Sequence, residues 1–292
     1  MNDLKTILLC ALVNFRKWMV NPRIYTLAAV TVGFLSWHSA GLSQLSAAVG
    51  IDVTPWVFPN LLTTSAMVAV FTCFIMLFFC DAPFADSHTP FLIIRTGRRN
   101  WMIGQLLYII LASFIYTVFF LIMSVVVLLP NVQWDTGWGT ILKTIAANPG
   151  IGDNYGIKLT VFVHPLIVDM FSPIEATIIS FGLFWLTSAF IGILILCGNV
   201  ITGRTGGLVM AGVFLCISFF TEYLGPLTFG GYWIRYLSPI NWCSICCLDW
   251  NKRGEWVSPS YAVISLVLAI VFMGIVSTIV FCNKDMDIQK RG

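Results

Sequence analysis

The sequence predicts an all-α integral membrane protein: six transmembrane helices, an N-terminal interfacial amphipathic helix, and re-entrant or interfacial helices before the last span. Three observations carry this expectation. Of 292 residues, 58% are hydrophobic and only 10% charged, against roughly 25% charged in ordinary soluble domains. The charges sit in short clusters separated by long uncharged runs, and crossing a hydrocarbon core of about 30 Å takes about 20 helical residues. Those runs are continuous rather than alternating in polarity, so helices and not barrel strands are expected.

The first element is a cytoplasmic interfacial helix over residues 1–23. Leu4, Ile7, Leu8, Ala11, Leu12, Phe15, Trp18 and Met19 recur with the rhythm of one helical face. Asp3, Lys5, Thr6, Asn14, Arg16 and Lys17 lie off that face, and Asn21-Pro22 breaks the helix. Such a segment lies along a membrane surface. A secretory signal peptide is the rival, but Phe15-Arg16-Lys17-Trp18 stands where a small-residue cleavage site belongs.

Residues 24–292 then form the transmembrane domain. Its expected spans are Ile24–Leu42, Leu61–Cys80, Met102–Leu129, Ala176–Cys197, Thr205–Leu224 and Ser260–Cys282. A central Asp, Lys or Arg costs about 2.5–3.5 kcal/mol on insertion scales, so runs this long do not stay free of charge by accident. With six spans, one side receives the N-terminus, loops 81–101 and 198–204, and the C-terminal tail. That side holds Lys5, Arg16, Lys17, Arg23, Arg95, Arg98, Arg99, Arg204, Lys284, Lys290 and Arg291. The other has only Lys143, Lys158, Arg235, Lys252 and Arg253. The bias places both termini in the cytoplasm.

Two outside segments are unusual. Residues 130–175, with Trp134, Trp138, Pro149 and several glycines, are too long for a structureless connection and are expected to pack as a small cap. The aromatic stretch Tyr232–Trp250, interrupted by Pro239, is too short to span. A pair of interfacial or re-entrant half-helices is expected there, with Trp233, Tyr236, Trp242 and Trp250 at headgroup level.

Chemistry-bearing patterns are sparse. No G-x-x-x-x-G-K-[ST] is present, so these residues alone cannot hydrolyse ATP. His38, His88 and His164 have no partners at ligand spacing, and no metal site is expected. No catalytic residues and no cofactor are expected in the chain, and no basic-aromatic run points to nucleic acid. Cys243-x-x-Cys246-Cys247 admits an outside disulfide, a metal clip or plain apolar packing. Glu222 closes the fifth span and is expected to reach outward to water. Few intramembrane charges argue against ion-coupled transport.

The stretch 81–101 is the most informative. Thr89-Pro90 starts a helix and Gly97 stops one, so Pro90–Thr96 is expected to be a short helix. Phe84, Phe91 and Leu92 are candidate apolar anchors there. Arg95, Arg98 and Arg99 are candidate contacts for carboxylates of a partner or for anionic lipid. A bare positive-inside anchor is the plainer reading.

Taken together, the interfacial helix, the six spans, Arg95-Thr-Gly-Arg98-Arg99-Asn-Trp101 after span two and Tyr236-Leu-Ser-Pro239 in the last outside loop resemble permease subunits of type-2 ABC exporters. The likeness covers essentially the whole chain, with motifs of moderate specificity. It implies a second permease chain, the same or homologous, a surrounding bilayer, and separate ABC ATPase subunits that carry ATP and Mg. It also implies a coupling loop at Pro83, Phe84, Asp86, Phe91, Arg95 and Arg98 that docks the ATPase. An unfused permease of this kind is expected in a bacterial plasma membrane, exporting an amphipathic peptide, drug or lipid-like substrate. The other classes are a secondary carrier or channel, and a non-transporting membrane sensor or immunity subunit that binds an antimicrobial peptide.

Overall fold

The computed structural model describes residues 3–86, 88–203, 205–224, 232–252, 254 and 256–283. Arg204, Arg253, Lys284, Lys290 and Arg291, used above for orientation, lie outside them. Ten α-helices are described: α1 Asp3–Arg16, α2 Pro22–Val49, α3 Ser65–Phe79, α4 Thr89–Thr96, α5 Arg98–Val126, α6 Gly139–Ala147, α7 Pro165–Met170, α8 Pro173–Thr202, α9 Gly206–Phe219 and α10 Pro259–Asn283. Among the described residues there is no strand beyond two isolated bridges, Val53 with Val132 and Leu248 with Val257.

Among the described residues four helices are long and apolar enough to cross a membrane: α5, α8, α9 with its continuation to Leu224, and α10. The two earlier expected spans take other forms. The run from Ile24 extends into a 28-residue helix, α2, whose middle is diluted by Ser36, Trp37, His38 and Ser39. The run from Leu61 yields only 15 helical residues, α3, because Phe58–Leu62 winds as a separate 3-10 helix with Pro59 near its start. Elsewhere the charge-free runs undershoot: α5 begins at Arg98 and α8 at Pro173, because helices continue into polar ends wherever caps permit. At α8 the cap is a reciprocal box in which Ser172 accepts from the Glu175 amide and Glu175 accepts from Ser172.

α8 is the central post. It packs on α3, α5, α9 and α10, and 67% of its span window is buried, against 17% for α10. The outward side of α10, with Leu268, Phe272, Ile275 and Ile279, is exposed and apolar. Water does not tolerate a contiguous face of this kind; hydrocarbon does. Close approach of α8 and α9 depends on glycine. A Cβ at Gly207 would sit 2.0 Å from the Ile195 carbonyl oxygen, and one at Gly198 2.5 Å from the Gly207 Cα. Small residues at a crossing are how helices in lipid maximise contact.

The N-terminal helix leaves its leucines on the open side. Thr6, Cys10, Ala11 and Asn14 are buried and the helix packs on α5, while Leu4, Leu8, Leu9 and Leu12 are exposed. In lipid the large apolar side chains have no reason to hide, so the small and polar stripe makes the protein contact. Asn14 donates to Gln105 at 2.7 Å and Trp18 to the Tyr108 hydroxyl at 2.7 Å.

Residues 130–175 do form a cap. It contains α6, a 3-10 turn and α7, and Trp138 donates to the Phe171 carbonyl at 2.9 Å. Thr54 and Trp56 of the preceding loop donate to the Trp138 and Asp135 carbonyls. The stretch 232–250 is not a pair of half-helices but three short 3-10 turns, Tyr232–Leu237, Asn241–Cys243 and Ile245–Cys247. Pro239 interrupts it, and Asn241 pins it to α9 through the Ser218 hydroxyl and carbonyl at 2.9 and 3.0 Å. Trp242 is consequently buried and Trp250 half-buried, while Trp233 and Tyr236 are exposed.

Candidate functional site

At the end of the bundle opposite that cap, loop 80–97 meets the α1–α2 junction and the α8–α9 turn. Three sets of contacts assemble it. The α1–α2 junction supplies two cations: Lys17 pairs with Asp86 at 2.9 Å, and Arg23 with Asp81. Lys17 also donates to the Phe84 carbonyl at 3.1 Å. From α8, Asn199 donates to the Ala82 carbonyl at 2.7 Å and accepts the Gly207 amide at 2.8 Å. One side chain thus joins the loop, α8 and the first turn of α9, whose amides have no helical partners of their own.

Between these contacts lies a cavity of about 670 Å³, lined among others by Asn14, Lys17, Arg23, Pro83, Phe84 and Asn199. Phe84 adopts φ +58. Its ring turns inward onto Tyr108, with centroids 4.9 Å apart. Pro83 and Asp86 share this wall.

Asp86 also organises the start of α4. Its carboxylate accepts the Thr89 hydroxyl at 2.9 Å and the His88 amide at 3.1 Å, while its own amide donates to Thr89. Partial burial pushes the carboxyl up. The Lys17 hydrogen bond and charge, with the Thr89 and His88 donors, outweigh that and hold it below the usual carboxylate range.

Helix α4 begins one residue earlier than expected and ends at Gly97, whose φ of +84 suits a residue without a Cβ. Thr89 and Ile93 are buried, so the opposite face is outward. Phe91 is 73% exposed, Ile94 82%, and Arg95 is exposed beside them. Arg98 starts α5 and donates to the Cys282 carbonyl of α10 at 3.0 Å.

The six candidate coupling residues therefore fall into three groups. Phe91 and Arg95 share an open surface; Pro83, Phe84 and Asp86 line the cavity behind it; Arg98 ties α5 to α10. Leu92 packs inward, and Ile94 takes the apolar place beside Phe91. Sequence reading missed Ile94, Asn199 and the two cation partners. Ile94 was legible as i+3 from Phe91. Asn199 was legible as the lone amide in the last turn of an apolar run.

Cys243, Cys246 and Cys247 carry no disulfide; Cys243 and Cys247 are buried. No group of three or more His, Cys, Asp or Glu able to hold a metal occurs among the described residues. Glu222 does not simply reach outward. Among the described residues its buried Oε2 has no hydrogen-bond partner, and the residue lines a cavity of about 240 Å³ with Thr63, His164, Cys246 and Trp250. It sits on a π-helical turn, Phe220–Leu224, that continues α9.

No family model, no curated protein and no solved structure matches the chain.

Proposed function

We propose that this chain is the membrane-spanning permease subunit of an ATP-driven exporter of the type-2 ABC class. In this reading α2, α3, α5, α8, α9 and α10 are six spans, both termini are cytoplasmic, and α1 lies in the cytoplasmic interface. Two groups of loop contacts at opposite ends of the bundle support it: Lys17, Asp81, Asn199 and Arg98 at one, Thr54, Trp138 and Phe171 at the other. The exposed leucines of α1 suit a helix whose outer side meets lipid.

The observation that carries the proposal is α4. It presents Phe91, Ile94 and Arg95 outward while its base is fastened to α1 through Asp86 and to α8 and α9 through the loop and Asn199. An exposed apolar pair beside a cation, on a short helix with a braced root, suits docking to a protein and passing on its movement. A partner ATPase closing on ATP would push α4, and the braces would carry that push into the spans as rigid-body rotation. Substrate access between two permease chains would then alternate. Few charges inside the spans favour an amphipathic cargo.

The test is purification in mild detergent with identification of co-purifying chains, followed by ATP-dependent export in vesicles. An ATPase subunit is expected to co-purify with the wild type and to be lost from Phe91→Ala/Arg95→Ala, whose membrane insertion stays normal. Transport without any ATPase would favour a carrier, and peptide binding without transport a sensor; either result overturns the proposal.

A further inference from the structure

A second hollow lies on the outer side of the bundle, where α5, α8 and α10 meet. Its volume is about 620 Å³, within the roughly 300–1,000 Å³ of ligand pockets. On α5 the lining residues Arg99, Ile103, Leu106 and Ile110 recur at i, i+4, i+7 and i+11, one straight stripe about 16 Å long at about 1.5 Å per residue. On α10 the facing stripe runs from Ile270 through Gly274 and Thr278 to Cys282. Ile193 of α8 also lines it.

Gly274 makes the hollow. A Cβ there would lie 3.3 Å from Leu106, so any larger side chain would fill the space between the stripes. The walls are almost wholly aliphatic, and the flanking face of α10 is exposed, so bilayer lipid has direct access. One end differs. Arg99 is exposed there beside Asn283, and its guanidinium makes no hydrogen bond or ion pair with the described residues. Trp101 stacks on Phe281 nearby, with centroids 5.0 Å apart.

We propose that this groove is a binding site for an anionic phospholipid, with one acyl chain along Ile103, Leu106 and Gly274 and its phosphate on Arg99. Guanidinium is the group best matched to phosphate oxygens, through paired N–H donors. Basic pockets between membrane helices hold anionic headgroups in the same manner. A flat helix face would exchange lipids freely, whereas a glycine-floored groove ending in a cation discriminates both chain and headgroup. The assignment does not depend on the exporter reading, because it needs only the bilayer.

The experiment is native mass spectrometry of the full chain released from nanodiscs containing equal phosphatidylglycerol and phosphatidylethanolamine. Wild type is expected to retain phosphatidylglycerol in clear excess. Arg99→Gln should lower the retained phosphatidylglycerol-to-phosphatidylethanolamine ratio at least fivefold. Ile275→Trp, which fills the groove, should lose both lipids. Phe272→Trp, on the same helix but outside the lining, should match wild type and reports on folding. Equal retention by all four proteins would overturn the site, as would a wild type that retains no lipid. A dimer that Ile275→Trp converts to a lipid-free monomer would also overturn it, since a second copy would then be the occupant.

Discussion

Asn199→Leu removes a side chain that joins loop 80–86 to both α8 and α9 while keeping the branch at Cγ and the same number of heavy atoms. Three contacts vanish: the donations to the Ala82 carbonyl at 2.7 Å and the Cys80 carbonyl at 3.5 Å, and the 2.8 Å bond accepted from Gly207. Ala82 and Gly207 are both buried. An unsatisfied buried group costs about 1–3 kcal/mol in water-soluble proteins. Side-chain hydrogen bonds in membranes average only about 0.6 kcal/mol, with a maximum near 1.7. The smaller scale applies to the Ala82 contact, since a carbonyl has a second lone pair. The larger applies to Gly207, whose amide lies in the first turn of α9 and has no helical acceptor. The loss is therefore about 1–3 kcal/mol, roughly a 5- to 150-fold drop in folding equilibrium. Reversible unfolding in mixed micelles reads it, and protease cleavage between Asp81 and Asp86 should accelerate in parallel. Asn199→Asp keeps the acceptor and loses the donor, so it should retain part of the Gly207 contribution. Unchanged unfolding and unchanged cleavage in Asn199→Leu would refute the reasoning.

Gly207→Val places a Cβ about 2.0 Å from a backbone oxygen of α8, so folded protein should be lost, whereas Gly212→Val, with nothing within 4 Å, should be neutral; detergent-soluble monodisperse yield distinguishes them. The Lys17–Asp86 tether should be pH-dependent. Because the folded Asp86 carboxyl is depressed, its contribution is fully present above the unfolded value near 4 and is lost as pH falls through the lower folded value. A spin-label distance between α1 and α4 should widen in that acid window, and Asp86→Asn should show the wide distance throughout. Reducing agent should leave thermal stability unchanged, because Cys243, Cys246 and Cys247 are unbridged; a lower melting temperature on reduction would contradict this. Trp138→Phe should cost about 0.5–1.5 kcal/mol through loss of the donation to Phe171, read by the same micelle unfolding.

Much of the fold was legible because hydrocarbon imposes a simple constraint on composition. The uninterrupted runs at Met102, Ala176 and Ser260 each became one long helix, and Pro90 with Gly97 bounded α4 to within a residue. The runs at Ile24 and Leu61 were less legible. Their ends depend on where Pro59 and the polar middle of α2 could be satisfied by neighbours, and local hydropathy carries no record of that.

The candidate site was half legible for the same reason. Phe91 and Arg95 stood out as an apolar and a basic residue in a short loop helix, whereas the inward turn of Phe84 depends on a positive φ and on Tyr108 from another helix. Glu222 was misjudged as outward because its surroundings, Thr63, His164 and Trp250, come from distant segments.

What composition alone determined is the solvent: stretches this apolar cannot be satisfied by water, whatever their tertiary arrangement. What only the three-dimensional structure decided is which faces meet protein and which meet lipid. In a bilayer large apolar side chains are equally content on either side, so hydrophobic periodicity loses its power to point inward. Small residues and hydrogen-bonding groups decide instead, as Thr6, Cys10, Ala11 and Asn14 do for α1 and Gly198, Asn199 and Gly207 do for the α8–α9 crossing.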